Sequence, residues 1–262
     1  MYNNLLTELS TSPLALCREG FPLLEMVREA AVKAATGAVA PPAAPAGADD
    51  FPLTRSEAGD VYLSLTGTLT KHDTWFAPGV DSVAAELQRC MEDPAVKRVL
   101  LVLNTPGGTS DSVYLMEQVL ARRTKPVIAL VDSLCASAGY YIACLCDEVH
   151  ALHPQCRIGS IGVMSVLLDD REAYQQAGFR LIEIYPPESA DKNRAVNEAL
   201  DGDTRRYIDE VLSPAARHFQ QVVREHRPTL DETVEGVLSG RVLYAEDALR
   251  AGLIDRIYYP KW

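Results

Sequence analysis

The chain of 262 residues is long enough for one large domain or a domain with an appendage, and 47% of it is hydrophobic, which is ample for a core. Its formal net charge of −11 argues against a nucleic-acid-binding surface, which would need a basic stripe. The six cysteines show no small-domain disulfide framework, and several lie in apolar segments, which favours reduced, cytoplasmic packing.

The N-terminal region differs in composition from the rest of the chain. Apolar residues recur at near-helical spacing over 21–35, which predicts an amphipathic helix within an N-terminal helical extension at 1–36. A Pro/Ala/Gly tract at 37–50 has too few large apolar groups to pack and predicts a linker, so we expect the main domain at 51–262. Neither a signal peptide nor a membrane span of ~18 apolar residues is expected.

Strand and helix signals alternate along the main domain, which predicts parallel βαβ crossovers and the α/β fold class. The expected strands lie at 61–65, 98–103, 126–131, 147–151 and 180–185, and the expected helices lie at 82–91, 110–122, 137–146 and 203–226, with further helical segments between 229 and 249.

A serine stands where the strand predicted at 126–131 gives way to a helical segment of small residues. Ser137 therefore lies at a strand-to-helix turn, where unsatisfied backbone N–H groups point outward. Acyl-transfer enzymes place their nucleophile at such a turn. Ser, Ala and Gly also fill tight strand–helix crossings for steric reasons alone, so this motif by itself leaves both interpretations open.

Two glycine motifs and one lysine strengthen the catalytic interpretation. Pro106-Gly107-Gly108 follows an apolar strand, and paired glycines let backbone amides approach a ligand, as an oxyanion hole requires. Ser160 is bracketed by glycines in Gly159-Ser160-Ile161-Gly162. Lys192 is the only lysine between the serine and Pro260. A lysine serves as general base only once burial has lowered an ammonium pKa from about 10.4 towards neutrality.

These motifs, in this order, resemble the signal peptide peptidase A family of Ser–Lys peptidases, known as S49. The resemblance runs from about Val61 to Asp255 and includes a helical stretch followed by Gly252-Leu253-Ile254-Asp255. It implies a crotonase/Clp-like spiral of ββα units, here preceded by the N-terminal helix and linker. No cofactor is expected.

The resemblance also implies a role for each matching residue. Ser137 would be the nucleophile, Lys192 the general base, and Ser160 the helper that orients the lysine amine. Many members have glycine directly after the nucleophile, where this chain has alanine; only a backbone amide is needed at that position. The oxyanion hole would be formed at Gly108 and Ala138, with Gly107 beside them.

The activity implied is that of a serine endopeptidase that cleaves after small or aliphatic residues. Half-length members are expected to form a homo-oligomeric ring in which the serine of one subunit meets the lysine of its neighbour. The form without a membrane span looks most like phage or prophage head-maturation proteases, whose substrates are capsid or scaffold proteins inside a prohead. The alternative within the enzyme class is a soluble bacterial peptidase of signal-peptide fragments.

Each alternative function either needs a residue that the chain lacks or gives no role to the serine and lysine that it has. A Clp-type protease needs a histidine about 25 residues after the serine, and this chain has Gly162 there; His150 and His153 come earlier and are interpreted as surface or structural. A crotonase-type acyl-CoA enzyme has no use for the serine and the lysine. A zinc site among the cysteines and histidines near 144–156 matches no common ligand spacing. An inactive assembly module of the same fold remains an alternative.

Overall fold

The computed structural model describes residues 14–16, 53–74, 77–180 and 182–259. The helix predicted at 21–35 and the linker predicted at 37–50 lie outside the described residues. Of the extension at 1–36, the structure describes one short strand. No helix in the described ranges is long and apolar enough to cross a membrane.

The strands occur along most of the described chain and are short except at the centre of the sheet. They are β1 (Leu14–Leu16), β2 (Leu53–Arg55), β3 (Asp60–Thr66), β4 (Arg98–Thr105), β5 (Gly107–Thr109), β6 (Val127–Ala136), β7 (Glu148–Ala151), β8 (Arg157–Gly159), β9 (Val242–Tyr244) and β10 (Arg256–Ile257).

The helices alternate with these strands. They are α1 (Val80–Glu92), α2 (Tyr114–Ala121), α3 (Ala138–Cys144), α4 (Arg171–Gln176), α5 (Arg194–Leu200), α6 (Arg205–Tyr207), α7 (Ser213–His226) and α8 (Ala245–Arg250), with 3₁₀ turns at Ser110–Val113 and Pro187–Ser189 and a π turn at Ile208–Leu212.

The main sheet is mostly parallel, in the order β10-β7-β6-β4-β3-β2, with only β2 antiparallel to its neighbour on this path. β6 is long enough to pair twice on one side. Its first half pairs with β7, and its last residues, Leu134–Ala136, pair with β8, which in turn pairs antiparallel with β9. The end of β6 therefore lies between β4 and β8, at a split in the sheet.

Helices cover the sheet and close one main hydrophobic core. α1 buries Val83, Ala84 and Leu87 in the same cluster as Leu63 and Leu101 of the central strands. The central strands are near-continuous apolar runs, as expected of parallel strands covered by helices. The predicted α/β class is confirmed, and the strand and helix predictions from 61 to 151 agree in position with β3 through β7.

Two predicted segments are wrong in the described residues. The strand expected at 180–185 is absent from 182–185, where the alternating Ile182 and Ile184 are exposed instead of packed against a neighbouring strand. The helical segments expected from 229 begin only at α8, because residues 229–240 form turns in which Gly236 has φ 77°. Both segments are apolar enough to predict a strand or a helix. The first has no neighbouring strand to pair with, and the second has a backbone that turns instead of continuing as a helix.

The cysteines in the described ranges are buried thiols. Burial raises the pKa of Cys146 to about 12, so this thiol stays protonated and packs as a small apolar group. Within the same ranges no group of three His, Cys, Asp or Glu side chains is placed to hold a metal ion. The free cysteines are Cys90, Cys135, Cys144, Cys146 and Cys156.

The Gly-Leu-Ile-Asp segment at 252–255 is bonded to the end of α7 and to β7 through Asp255. Arg227 is 5% exposed, and its guanidinium donates to both carboxylate oxygens of Asp255 at 2.8 and 2.9 Å. Asp255 also accepts the Val149 N–H at 2.7 Å. Burial alone would raise the pKa of the Asp255 carboxyl. The hydrogen bonds from Arg227 and Val149 outweigh burial and hold this pKa below its usual range.

We predict that Asp255→Asn lowers the free energy of unfolding at neutral pH by about 3 kcal/mol, because it leaves the Arg227 guanidinium buried without its counter-charge. A carboxyl with a lowered folded-state pKa stabilises the fold above its unfolded-state pKa of about 3.9 and loses that contribution as the pH falls through the folded-state value. The difference between wild type and variant should therefore shrink below about pH 4. Urea titrations at several pH values measure it.

The matched control is Asp203→Asn, which removes an ion pair with Arg205 that is exposed on both sides. That change should lower the free energy of unfolding far less than Asp255→Asn does, because water screens an exposed ion pair. Equal losses in the two variants would contradict the assignment of the Arg227 pair as a structural clamp.

Candidate active site

Ser137 occupies a strained turn at the end of β6. Its backbone has φ 55° and ψ −120°, a region that residues with a side chain rarely adopt, and the residue is 1% exposed. Its N–H donates to the Gly159 carbonyl at 2.8 Å, and its carbonyl accepts the Tyr141 N–H at 2.9 Å as α3 begins. A strained strand-to-helix turn is also the setting of the nucleophile in α/β-hydrolases.

Close backbone packing holds this turn in place. A Cβ at Gly139 would lie 2.3 Å from Thr105 Cγ2, so the start of α3 presses directly on the end of β4. On the other side, Ala136 pairs with Gly159, which has φ 125°. The serine is thus wedged between two neighbouring strands.

The two glycines predicted for the oxyanion hole differ in the contacts of their backbones. Gly107 donates its N–H to the Thr105 hydroxyl at 3.0 Å, and its carbonyl accepts the Leu69 N–H at 2.8 Å. A Cβ at Gly108 would lie 1.8 Å from the Leu69 carbonyl oxygen, so this position admits only glycine. Because the Gly107 amide is donated to Thr105, Gly108 is the glycine of the two whose amide can face a bound peptide.

Ala138, the other predicted oxyanion residue, is fully buried and is the first residue of α3. Its N–H is one of the helix-start amides that have no partner within the helix. Ala138 is not among the described residues with positive φ, so its methyl group is accommodated without a glycine-type backbone.

Ser160, like Ser137, has a positive φ. It directly follows β8, has φ 54°, and donates its N–H to the Arg241 carbonyl at 2.8 Å. Because Ala136 and Gly159 are paired, the two serines follow adjacent parallel strand ends. The Ser137 hydroxyl donates to the Gly162 carbonyl at 3.3 Å, just beyond Ser160.

Lys192 is not brought to the serines within a single chain. It lies in the turn that precedes α5, its backbone N–H donates to the Ser189 carbonyl at 3.1 Å, and the residue is exposed. Its ammonium makes no hydrogen bond or ion pair with the residues that the structure describes. The role predicted for Lys192 therefore needs a contact that the isolated chain does not provide.

The segment that carries Lys192 is poorly packed against the core. We call residues 166–193 the lysine segment. The Ser165 hydroxyl lies 2.9 Å from the Tyr207 hydroxyl just before this segment begins, and α4 within it buries none of its residues. Its large apolar side chains are exposed, Phe179 by 67% and Ile184 by 86%. Several exposed large apolar side chains within one short segment are typical of an interface.

A cavity of 230 Å³ lies beside Ala138 and extends between α2, α3 and α7. Its lining combines apolar side chains with a polar group that sequence reasoning missed. The Tyr141 hydroxyl donates to Glu117 Oε2 at 3.1 Å and lies 3.2 Å from His218 Nε2. Burial, together with the neighbouring Glu117 carboxylate, raises the pKa of Tyr141, so its hydroxyl stays protonated. The only sequence signal was the position of Tyr141 one helical turn after the serine.

His150, which a Clp-type mechanism could have used as general base, has a structural position in this fold. His150 is buried on β7, with Nε2 2.5 Å from Glu148 Oε2 and Nδ1 3.2 Å from the Tyr258 hydroxyl. Both ring nitrogens thus have partners on the β7–β10 side of the sheet, and neither contacts Ser137. This arrangement agrees with the interpretation of His150 as a structural residue.

A family model described as peptidase family S49 matches residues 120–261, more than half of the chain. The chain belongs to peptidase family S49. The matched region contains the serine turn, the Gly159-Ser160 turn, the lysine segment and the closing Asp255. The family assignment therefore agrees with the resemblance that the motifs indicated.

Curated relatives of this S49 chain include phage and cellular proteins. The head-tail preconnector protein GP5 of Enterobacteria phage P21 is 30% identical over 76% of the chain and 40% of its own length. The capsid assembly protease C of Escherichia phage lambda is 27% identical over 76% and 46%. Protease 4 of Salmonella typhi is 26% identical over 68% and 29%. The chain thus spans less than half the length of each of these relatives.

Solved structures with partial similarity include two enzymes. A membrane-bound stomatin-specific protease in complex with a substrate peptide is 20% identical, with a TM-score of 0.45 over 76% of the chain and 74% of that structure. An enoyl-CoA hydratase/isomerase family member is 18% identical, with a TM-score of 0.44 over 79% and 69%.

We predict that Gly139→Ala lowers the free energy of unfolding by about 1–3 kcal/mol, because the new methyl overlaps Thr105 Cγ2. Thr105→Ser removes that methyl and keeps the hydroxyl that accepts from Gly107 and donates to Gly67. The double variant should therefore recover most of the lost stability, measured by thermal and urea unfolding. Thr105→Ser alone is the matched control, and a double variant no more stable than Gly139→Ala would contradict the steric explanation.

Proposed function

We propose that this S49 chain is a serine endopeptidase with Ser137 as nucleophile and Lys192 as general base. The observation that carries the proposal is the buried, positive-φ turn at Ser137, which Ala138 follows directly at the start of α3; β5, the strand of Gly108, contacts that helix. Strain of this kind persists in proteins where function requires it. Membership of a peptidase family supports the same reaction.

The proposed reaction is hydrolysis of a peptide bond in two steps. The Lys192 amine takes the proton from Ser137 Oγ, which attacks the carbonyl carbon of the substrate. The Gly108 and Ala138 amides stabilise the negative charge that develops on the carbonyl oxygen. The C–N bond breaks, the departing nitrogen takes the proton from Lys192, and a water molecule then hydrolyses the acyl-serine. Ser160 orients the lysine amine.

The base comes from a neighbouring subunit in this proposal. A lysine base must be neutral, and removal from water is what disfavours the ammonium form. In a single chain Lys192 is exposed and lies on the lysine segment, whose apolar side chains are exposed too. A second copy of the chain that covers this segment would bury these side chains and bring the lysine to Ser137. A homo-oligomeric ring satisfies this requirement with identical contacts.

The proposed substrates are capsid or scaffold proteins of a phage or prophage, cleaved in the cytoplasm or inside a prohead. Two relatives with phage head functions in their names support this choice. Small or aliphatic residues are proposed before the cleaved bond, since Val113, Ala138 and Val163 line part of the cavity beside the serine. The alternative is a soluble bacterial peptidase that degrades signal-peptide fragments, and the similarity to Protease 4 supports it.

We predict that Ser137→Ala and Lys192→Ala each abolish cleavage of a casein or peptide substrate and leave thermal stability unchanged. Lys192→Arg should be equally inactive, because a guanidinium stays charged. Ser160→Ala should retain part of the activity, since it removes an orienting hydrogen bond only. An active Lys192→Ala protein would refute the base assignment, and an inactive assembly module would show no difference between wild type and Ser137→Ala.

Mixing the two inactive variants tests whether the site is shared. When Ser137→Ala and Lys192→Ala subunits exchange, some interfaces unite an intact serine with an intact lysine, so activity should return. Native mass spectrometry confirms the exchange. Mixed oligomers that stay inactive would place the complete site within one chain.

Ile184→Glu should weaken assembly and activity together, because it puts a charge on the apolar surface of the lysine segment. The side chain is 86% exposed, so the thermal stability of the isolated chain should not change. Leu249→Glu is the matched control, as Leu249 is an exposed apolar residue on α8, away from this segment. Sedimentation velocity and peptide cleavage at the same concentrations measure the effect. Equal behaviour of the two variants would exclude this surface as the interface.

A further inference from the structure

An N-terminal strand lies directly on the strand that carries the oxyanion glycine. β1 and β5 form a two-stranded antiparallel sheet. The register places Leu14 opposite Thr109, Ala15 opposite Gly108, and Leu16 opposite Gly107. The segment is far in sequence from the main domain that it contacts. Its extended backbone therefore occupies the edge of the site where a peptide would bind.

The hydrogen bonds of Leu69 show which way the Gly108 amide points. Leu69 donates to the Gly107 carbonyl and accepts the Thr109 N–H, so it uses the groups on both sides of Gly108. Along a strand, successive residues direct their backbone groups to opposite edges. The N–H and carbonyl of Gly108 are therefore directed away from Leu69, towards β1.

This orientation makes Ala15 and Gly108 the pair that exchanges hydrogen bonds. In an antiparallel ladder, two directly opposite residues either exchange both N–H···O bonds or exchange none. Because the N–H and carbonyl of Gly108 face β1, Ala15 and Gly108 exchange both N–H···O bonds. The Ala15 carbonyl thus lies at the amide that would stabilise the oxyanion, as the carbonyl of a bond about to be cleaved would.

We propose that residues 14–16 are a substrate segment of the protein itself, and that the Ala15–Leu16 bond is a self-processing site. This inference rests on the proposed peptidase activity. Alanine before the cleaved bond agrees with the proposed preference for small residues. Until it is cut, the segment competes with any other peptide for the Gly107–Thr109 edge.

The proposed cleavage balances with one water molecule. Ser137 Oγ forms a bond to the Ala15 carbonyl carbon, the Ala15–Leu16 C–N bond breaks, and the serine proton passes through the base to the Leu16 nitrogen. Water then adds to the acyl-serine, the ester bond breaks, and the serine regains its proton. The products are a fragment that ends in the Ala15 carboxylate and a protein that begins with the Leu16 amine.

Intact-protein mass spectrometry of the full chain tests the cleavage. After incubation under assembling conditions, wild type should lose residues 1–15, and Ser137→Ala should stay intact. Ala15→Asp should block the loss, because a charged side chain does not suit a site for small residues. Ala44→Asp is the matched control and should be processed at the wild-type rate. Each sample is assayed in parallel on an external peptide.

The parallel assay separates the two proposals. Wild type that cleaves the external peptide but keeps its N-terminus overturns the self-processing site and leaves the peptidase proposal standing. Wild type that cleaves neither overturns both. Loss of residues 1–15 in Ser137→Ala would show that another protease is responsible, which also overturns the inference.

Peptide binding measures how much of the Gly107–Thr109 edge residues 14–16 occupy. In the inactive Ser137→Ala protein, Ala15→Pro removes the N–H that pairs with Gly108 and should release the edge. A fluorescent peptide of residues 9–20 should then bind about tenfold more tightly, as expected if the segment fills roughly nine-tenths of the sites. Ala44→Pro is the control and should bind like the parent. An unchanged dissociation constant in Ala15→Pro would show that the segment does not occupy the site.

Discussion

The positive-φ backbone of Ser137 is the constraint around which the rest of the structure is arranged. A residue with a side chain adopts this conformation only when its neighbours leave no alternative. Here the Gly159 carbonyl holds the serine N–H, and the contact between Gly139 and Thr105 fixes the start of α3. The hydrophobic core supplies rigidity, and the serine lies where β6 passes from its pairing with β7 to its pairing with β8.

The C-terminal segment contributes to the same constraint from a distance in sequence. Tyr140, on the helix that the serine opens, donates its hydroxyl to the Leu253 carbonyl at 2.8 Å. Two residues later, Asp255 joins Arg227 and the Val149 N–H. The closing motif therefore anchors α3 against β7, which explains physically why a Gly-Leu-Ile-Asp sequence accompanies the serine turn. Mutations there are expected to act on the nucleophile through stability.

The sequence predicted the central strands and the strand-to-helix turn at Ser137 because each is determined locally, by an apolar run or by a run of small residues. It failed at 182–185, since alternation in Ile182 and Ile184 does not reveal whether a neighbouring strand exists. The Pro-Gly-Gly motif alone does not show that the Gly107 amide is donated to the Thr105 hydroxyl, because that contact depends on the fold. The pairing of β1 with β5 and the contact of Tyr141 with Glu117 are long-range, and no periodicity encodes them.

The proposed nucleophile and base differ in how they depend on concentration. Ser137 is built into the core, whereas Lys192 is exposed on a segment whose apolar side chains need a neighbour. Dilution would therefore separate the base from the nucleophile. It would not release β1, because a segment attached to the same chain keeps a constant effective concentration at its site. The isolated chain would then lack a base and be blocked as well, and assembly would supply the base while the blocking strand is already in place. In such an arrangement the first bond cut after assembly is the one in β1.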